Sequence, residues 1–426
     1  MKIKIKKISF EQLQKIKLKK YHRPIRPLFI LRFLVNLLSK KELKDINFSY
    51  TKTDMNKLKK FEPCLILMNH SAFVDLKIFF KIWSPLPFNI ICTDDGFVGK
   101  YWLMRHLGCV PTVKFQSDPQ LVKDMIFCIK KLHDSVLMFP EATYSFDGTD
   151  GAIPDNIGKL IKLLKVPLVI IKTEGAYLHD PLYNNLQQRK INVSANVKYV
   201  LSKEDISKLS DSEITSIVKK EFTFNNWEYQ FKNNILINNL SRADGLNRVL
   251  YKCPNCGCEG KTIGKCIYLE CENCGAKYEL TPEGFLKCIN GDTKFKTVPE
   301  WYNYEREEVI KEIKNDTYKL DLDVDIYVLA NYKAIYKIGD GHLTHTIDGF
   351  NLIGCDNKLN VTQGPLENYS LYSDFYWYEI NDIICICDKH YHYYCVPKNA
   401  KDVVAKARMA TEEIYKIKKE SIKLPK

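Results

Sequence analysis

His70 and Asp75 lie five residues apart, just after a short apolar run, and their side chains could do acid–base chemistry. The run, residues 64–68, predicts a buried strand, and the polar residues after it predict a turn into a helix. In that geometry the Asp75 carboxylate accepts a hydrogen bond from Nδ1–H of His70, and Nε2 stays free to take a proton from an alcohol. Taken alone, the pair has a simpler interpretation as a hydrogen-bonded histidine at the end of a strand.

Two further segments accompany this pair along the chain. A second apolar run, 136–138, leads into a mostly polar turn, Phe139-Pro140-Glu141-Ala142-Thr143-Tyr144-Ser145. A third segment, 166–171, has Val-Pro before its apolar residues. With His70 and Asp75, these segments resemble the motifs of the 1-acyl-glycerol-3-phosphate acyltransferase family in order and spacing. The resemblance implies a layered α/β fold of the glycerolipid acyltransferase type.

The resemblance also implies an activity in phospholipid biosynthesis. A fatty acyl chain would pass from acyl-CoA or acyl carrier protein to the hydroxyl of a lysolipid, with 1-acyl-glycerol-3-phosphate favoured and phosphatidic acid as product. His70 would deprotonate the hydroxyl, Asp75 would fix its tautomer, and no catalytic cofactor is expected. The residues expected to bind substrate are Asn69, Lys114, Glu141, Thr143 and Tyr144. For Glu141 the alternative is an anionic partner of a helix N-terminus.

Three positions depart from the family pattern. Ala142 stands where the family has Gly, and Tyr144 and Lys114 stand where it has Arg. Lysine keeps a positive charge but loses the planar fork that binds a phosphate through two donors, and tyrosine supplies only a hydroxyl. These replacements weaken the prediction that the site binds an acceptor phosphate, and they leave open an acceptor other than lysophosphatidic acid. These losses also motivate an alternative function, a non-catalytic, membrane-associated adaptor on a degenerate acyltransferase fold.

Two cysteine pairs of equal spacing predict a metal site. Two residues separate Cys253 from Cys256, and two separate Cys271 from Cys274; a Gly follows each pair. Such turns aim two sulfurs at one ion, and Gly accepts the positive φ that they need. The pattern resembles a zinc ribbon with four thiolates and a structural zinc ion. Two nearby cysteines are alternative ligands, Cys258 and Cys266.

Positive charge is concentrated in the first 60 residues. This segment holds 18 Lys and Arg against 4 Asp and Glu, a balance of +14, whereas the whole chain has +13. Basic residues flank an apolar stretch, 27–38, which predicts an amphipathic helix on an anionic membrane surface. The alternative is a helix packed on the domain with a solvated basic face. No nucleic-acid-binding motif accompanies the charge, so nucleic acid is not expected as a partner.

The apolar stretch is too short to span a membrane and resembles no secretory signal. We therefore expect a cytoplasmic protein bound peripherally to the inner face of the membrane, with reduced thiols or metal ligands rather than disulfides. Four regions are predicted, namely a basic arm (1–60), the acyltransferase domain (61–230), the zinc ribbon (231–295) and a small β-rich domain with a closing C-terminal helix (296–426). The last two resemble a region appended to certain bacterial members of the family.

Secondary structure follows from the hydrophobic pattern. Strands are predicted in the acyltransferase region at 64–69, 88–93, 108–114, 135–140, 166–173 and 190–200. A helix is predicted to begin at Pro119, behind the capping residue Asp118. Near the C-terminus, strands are predicted around 325–329 and 382–387, and a closing helix over 400–419.

Overall fold

The computed structural model describes residues 3–116 and 118–423 of the 426-residue chain. Its strands, in chain order, are β1 (Ile5–Lys7), β2 (Ser49–Thr53), β3 (Leu65–Met68), β4 (Phe88–Thr93), β5 (Cys109–Thr112), β6 (Ser135–Met138), β7 (Leu168–Glu174), β8 (Ser194–Leu201), β9 (Thr262–Lys265), β10 (Tyr268–Cys271), β11 (Lys277–Leu280), β12 (Leu286–Cys288), β13 (Leu320–Asn331), β14 (Ala334–Thr346), β15 (Gly349–Gly354), β16 (Leu359–Gln363), β17 (Tyr372–Trp377), β18 (Asn381–Cys387) and β19 (His392–Pro397). The α-helices are α1 (Phe10–Gln14), α2 (Phe29–Asp45), α3 (Val74–Trp83), α4 (Tyr101–His106), α5 (Pro119–Phe127), α6 (Ile157–Leu164), α7 (Ala176–His179), α8 (Lys203–Lys208), α9 (Asp211–Glu221), α10 (Asn226–Lys232), α11 (Val298–Lys314) and α12 (Val403–Lys423).

The chain divides into two compact units. The α/β unit contains residues 21–181 and 186–235, and the β-rich unit contains residues 1–20, 182–185 and 236–426. The segment predicted as a basic arm contributes its first 20 residues to the β-rich unit and the remainder to the α/β unit. Residues 236–295 of the predicted ribbon lie with the C-terminal region in the β-rich unit, whereas residues 231–235 belong to the α/β unit.

A seven-stranded sheet forms the centre of the α/β unit. Its strand order is β2-β8-β7-β3-β6-β4-β5. Strand β3 runs parallel to both neighbours, β6 and β7, and β4 runs parallel to β5 and β6. The carboxyl ends of these five strands therefore meet at one edge of the sheet, where functional groups of α/β proteins usually lie. All six strands predicted for this region are present, and 88–93 matches residue for residue.

Helices that bury one apolar stripe cover the sheet. Ile161 of α6 and Val218 of α9 belong to the same buried cluster as Leu67 and Ile170 of the sheet. A Cβ at Gly158 would lie 2.0 Å from the backbone oxygen of Asp211, so only glycine allows α6 and α9 to approach this closely. Helix α5 begins as predicted, because the Asp118 carboxylate accepts the amides of Gln120 and Leu121 at 2.9 and 3.0 Å.

Helix α2 exposes the apolar side of its surface. Arg32 is buried and donates to the backbone oxygens of Pro85 and Leu86 at 3.2 and 2.6 Å. The exposed large side chains of the helix recur at helical spacing, and they are Phe29, Ile30, Phe33, Leu34, Leu37 and Leu38. Leu38 is 79% exposed. Among the described residues, no helix has both the length and the apolar character to cross a membrane.

The β-rich unit contains two antiparallel sheets. The small sheet has the order β12-β11-β10-β9 and carries the cysteine pairs. The large sheet runs β16-β15-β14-β13-β19-β18-β17, and β1 adds to β14 in parallel. Helix α11 packs on the closing helix α12, where Arg306 pairs with Glu412 and Glu413 at 2.8 Å. The predicted fold class is thus confirmed, with an α/β layered unit, a cysteine ribbon and a β-rich part that closes with a helix.

Candidate active site and metal site

Polar side chains from several strands converge at the carboxyl edge of the seven-stranded sheet. His70 follows β3, Phe139 follows β6, Lys114 lies beyond the end of β5, and Thr173 is the sixth residue of β7. Because these strands are parallel, residues that are distant in sequence meet at this edge. The sequence analysis predicted His70 and Lys114 here, but assigned no role to Phe139 or Thr173.

The His70–Asp75 pair has the predicted geometry. Nδ1 of His70 lies 3.3 Å from Oδ2 of Asp75, which is the second residue of α3 and is fully buried. Oδ2 also accepts hydrogen bonds from the backbone amides of Ser71 and Ala72, at 2.7 and 2.9 Å. Oδ1 lies 3.3 Å from the Thr173 hydroxyl. These donors compensate the burial of the carboxylate, because a buried charge needs hydrogen bonds or a partner of opposite charge.

The ionisation of His70 suits a general base. Burial lowers the pKa of His70 below its usual value and outweighs the Asp75 carboxylate, which raises it; the charge of Lys114 lowers it further. The imidazole is therefore unprotonated at neutral pH and can accept a proton. Its side chain is 19% exposed, whereas Asp75 is inaccessible. A substrate can thus reach the ring but not the carboxylate.

Two aromatic rings pack against the imidazole of His70. The Phe139 ring is stacked with its centroid 4.1 Å away, and the Tyr144 ring is tilted with its centroid 4.2 Å away. Both rings belong to the turn that follows β6. They limit rotation of the ring and contribute to the desolvation that lowers its pKa. Tyr144, which stands where the family pattern has an arginine, therefore contacts His70, the predicted general base, directly.

Glu141, in this turn, is hydrogen-bonded to the segment that carries His70. One carboxylate oxygen accepts the backbone amide of His70 at 2.8 Å, and the other accepts the amide of Gly151 at 2.6 Å. The Ser145 amide in turn donates to the backbone oxygen of His70 at 3.0 Å. Ala142 has a φ of +55°, which explains why this turn favours the glycine of the family pattern. Glu141 thus positions the histidine backbone, and direct contact with an acceptor stays a prediction.

The other predicted substrate-binding residues occupy different environments. Asn69 is fully buried, and its carboxamide bonds to Ser71 and to the backbone of Thr173. It therefore supports the site through protein contacts. Thr143 is also buried, whereas Lys114 and Tyr144 are half-buried beside the His70 imidazole. Substrate binding by these residues stays a prediction.

The predicted metal-ligating cysteines form one cluster. The Sγ atoms of Cys253, Cys256, Cys271 and Cys274 all lie within 4.8 Å of one another. Two of these separations, Cys253–Cys274 and Cys256–Cys271, are 3.7 and 3.8 Å. Four sulfurs about 2.3 Å from a tetrahedral ion would be about 3.8 Å apart, so the cluster fits a thiolate-bound metal ion.

Each cysteine turn is closed as the sequence predicts. Gly257 donates to the backbone oxygen of Cys253 at 2.9 Å, and Gly275 donates to that of Cys271 at 2.8 Å. Both glycines have the expected positive φ, +73° and +71°. The two alternative ligands considered above, Cys258 and Cys266, are not part of the cluster in the described chain.

A His–Asp pair with a buried carboxylate at the carboxyl edge of an α/β sheet has the geometry that a general base for a hydroxyl group requires. Residues 49–171, which include this pair and the turn at 139–145, match the family model described as Acyltransferase. The chain therefore contains an acyltransferase domain, and the predicted family resemblance is confirmed for this segment.

Comparison with solved structures finds a similarity to the 1-acyl-sn-glycerophosphate (LPA) acyltransferase PlsC from Thermotoga maritima. The two chains share 16% sequence identity with a TM-score of 0.34, and the match covers 45% of this chain and 76% of that one. No curated protein matches the chain.

Proposed function

We propose that this protein transfers a fatty acyl chain from acyl-CoA or acyl carrier protein to the hydroxyl of a lysolipid. The favoured acceptor is 1-acyl-glycerol-3-phosphate, which would yield phosphatidic acid. The observation that carries the proposal is the His70–Asp75 pair, with Nδ1 held 3.3 Å from the carboxylate within the segment that matches the acyltransferase model.

In this reaction Nε2 of His70 removes the proton of the acceptor hydroxyl while the oxygen attacks the thioester carbonyl carbon. The tetrahedral intermediate then breaks its carbon–sulfur bond, and the imidazolium returns the proton to the departing thiolate. Asp75 stays ionised throughout and stabilises the imidazolium. No acyl-enzyme intermediate is needed.

The groups near His70 favour an acceptor whose phosphate is held by one charge. Lys114 is close enough to His70 for its charge to lower the pKa of the imidazole. A lysine binds phosphate as a point charge, without the paired donors of arginine. Tyr144 places a ring against His70, where the family pattern has an arginine. We therefore propose weaker selection for a phosphate monoester and tolerance of other lysolipid headgroups.

The test is an acyl-transfer assay with purified protein, acyl-CoA or acyl carrier protein, and a panel of lysolipids including 1-acyl-glycerol-3-phosphate. We expect one or more acceptors to gain an acyl chain, and His70→Ala to lower the rate by about 10²–10⁴-fold. Full activity in His70→Ala would refute the proposed role of the histidine. Absence of turnover with every donor and acceptor, together with tight vesicle binding, would favour the non-catalytic adaptor.

We further propose that α2 lies on an anionic membrane surface. Its exposed apolar side chains form one continuous stripe, and isolated globular domains rarely expose such a patch without a binding role. Three exposed lysines follow this stripe, Lys40, Lys41 and Lys44. Each lysine near an anionic surface contributes about 1 kcal/mol, and salt screens the attraction over about 8 Å. Helix α2 thus combines an apolar anchor with a basic end.

Sedimentation with vesicles of phosphatidylglycerol and phosphatidylcholine tests this surface. We expect the double variant Phe33→Ser/Leu38→Ser to lose most of its vesicle binding. The triple variant Lys40→Gln/Lys41→Gln/Lys44→Gln should bind the vesicles with about 100-fold lower affinity at low salt. Leu163→Ser is the matched control, because Leu163 is 49% exposed on α6, outside this stripe. Equal binding by the Phe33/Leu38 variant and wild type would exclude α2 as the anchor.

Finally, we propose that the four-cysteine cluster binds one structural zinc ion. Tetrahedral coordination by four thiolates is typical of structural zinc, and leaves no open position for a substrate. The small sheet β9–β12 buries little apolar surface of its own, so the metal would supply folding free energy to the ribbon.

A further inference from the structure

We infer that Thr173 is a positioning residue for the His70–Asp75 pair, an inference that rests on the proposed function of that pair. Thr173 is fully buried near the end of β7. Strand β7 pairs with β3, the strand that leads to His70, and the last residues paired between these two strands are Met68 and Ile171. Thr173 therefore lies just beyond the last paired residues, beside the turn that carries the catalytic histidine.

The Asn69 side chain continues this ladder beyond the last backbone pair. Its Oδ1 accepts the backbone amide of Thr173 at 2.7 Å, and its Nδ2 donates to the backbone oxygen of Thr173 at 3.0 Å. Nδ2 also donates to the Ser71 hydroxyl at 3.2 Å. The carboxamide thus replaces a peptide group and fixes the end of β7 relative to the residues on either side of His70.

The Thr173 hydroxyl reaches the catalytic carboxylate from this fixed backbone. Its Oγ1 lies 3.3 Å from Oδ1 of Asp75 and 3.1 Å from Oδ1 of Asn69. A hydroxyl has one proton, and a charged acceptor binds it more strongly than a neutral amide oxygen that already accepts an N–H. The proton therefore goes to Asp75.

This contact determines the orientation of the carboxylate. In the described chain, Thr173 is the one hydrogen-bond donor to Oδ1 of Asp75, whereas Oδ2 has Ser71, Ala72 and the His70 ring. The Thr173 hydroxyl therefore keeps Oδ1 satisfied and leaves Oδ2 directed at Nδ1 of His70. Without it, Oδ1 would be a buried charged oxygen with no donor, which favours rotation of the carboxylate.

Thr173→Val separates this role from a packing role, because valine has the same shape and keeps both backbone bonds to Asn69. We expect kcat to fall about tenfold with little change in KM, since a hydrogen bond to a charged group contributes about 1.5 kcal/mol or more. Thr173→Ser retains the hydroxyl and should restore most of the rate. Thr173→Ala gives the same comparison if the valine variant does not fold.

A second measurement needs no turnover. In protein labelled with ¹³Cε1-histidine, the His70 signal is assigned by its loss in His70→Ala, and its titration is followed by NMR. We expect Thr173→Val to lower the titration midpoint of His70, because a carboxylate that rotates away from Nδ1 loses part of the Asp75 interaction that raises the pKa of the imidazole. The other titratable groups near the pair, Lys114, Glu141 and Asp180, are unchanged in this comparison.

The outcomes distinguish this inference from the proposed function. If wild type has no His70-dependent turnover, the proposed function fails, whereas a shifted His70 midpoint in Thr173→Val still supports the positioning role. An unchanged midpoint and an unchanged kcat in a folded Thr173→Val protein would overturn it. A Thr173→Ser protein as impaired as Thr173→Val would also overturn it, because the hydroxyl would then not be the cause.

Discussion

The His70 site and the four-cysteine site are assembled in opposite ways. The cysteines come from one segment, 253–274, whose two turns close on their own backbone atoms. The groups around His70 come from 69–173 and meet because β3, β6 and β7 are neighbours in one sheet. The geometry of the cysteine site thus depends on local turns, together with the metal ion that we propose, whereas the histidine site depends on a complete sheet. Changes at the two sites should therefore have separable consequences.

Loss of metal should have the largest effect, and it should be confined to the ribbon. Metal analysis is expected to find about one zinc ion per chain. Cys271→Ser should lose it, because an apparent binding free energy of about 10–16 kcal/mol depends on all four thiolates. Hydrogen exchange should then show loosening of residues 253–288 first. His70-dependent activity should survive in part, because the two sites belong to separate compact units.

The matched control is Cys266→Ser, because Cys266 is exposed and lies outside the cluster. This variant should keep its zinc and its protection from exchange. Full retention of zinc in Cys253→Ser/Cys271→Ser would show that other residues bind the ion.

Asp75→Asn should have the next largest effect, and it should act on the reaction rather than on the metal. An asparagine amide cannot stabilise the imidazolium, nor can its NH₂ group accept the amides of Ser71 and Ala72. We expect the acyl-transfer rate to fall by about 10²–10⁴-fold with zinc content unchanged. Activity within threefold of wild type would show that His70 works without its carboxylate.

How far the sequence could predict each site follows from the same contrast. The cysteine turns are local, and their spacing alone predicted a metal site. The His70–Asp75 pair is also local, but its interpretation as an acid–base pair depended on the accompanying segments at 136–145 and 166–171. Thr173 is 98 residues from Asp75 and reaches it only because β7 pairs with β3, which no local pattern reveals. Phe139 lies within a motif that was recognised, yet its ring contact with His70 depends on the position of β6 beside β3.

The surface of α2 shows a further limit. The apolar stretch at 27–38 predicted a helix, and α2 is present at Phe29–Asp45. Hydrophobic periodicity gives the apolar face but not the environment that covers it. Arg32, within this stretch, lies on the buried side of the helix, where its guanidinium donates hydrogen bonds to the backbone oxygens of Pro85 and Leu86.

Asp180 is a second buried carboxyl group in this region, and it can be compared with Asp75. Like Asp75 it is almost fully buried, but its Oδ1 has no hydrogen-bond partner among the described residues. The pKa of Asp180 is raised to about 8, chiefly because the carboxyl group is buried; the charge of His179 opposes the shift and the charge of Asp75 adds to it. Of two buried carboxyl groups, Asp75 accepts several hydrogen bonds, whereas Asp180 has an unbonded oxygen and is protonated at neutral pH.

Asp180→Asn should therefore be tolerated where Asp75→Asn is not. Folded wild type binds a proton at Asp180 that the unfolded chain releases above about pH 4, so this group costs stability as pH rises from about 4 to 8. Asparagine needs no proton. Relative to wild type, we expect Asp180→Asn to gain at least about 1 kcal/mol in unfolding free energy between pH 5 and pH 8. Denaturant titrations at both pH values measure this, and a pH-independent difference would contradict the assignment.

Tyr144→Phe should have the smallest effect, and it sharpens the comparison within the histidine site. The Tyr144 ring lies 4.2 Å from the His70 ring, and phenylalanine keeps that contact while removing the hydroxyl. We expect kcat within about threefold of wild type, whereas Tyr144→Ala should lose about tenfold, because an aromatic pair contributes about 0.5–1.5 kcal/mol. Kinetics with phosphate-bearing and phosphate-free lysolipids separate the two roles of this side chain. If Tyr144→Phe raises KM for the phosphate-bearing acceptor alone, the hydroxyl binds the headgroup. If it costs as much as Tyr144→Ala with every acceptor, the ring contact is not what Tyr144 contributes.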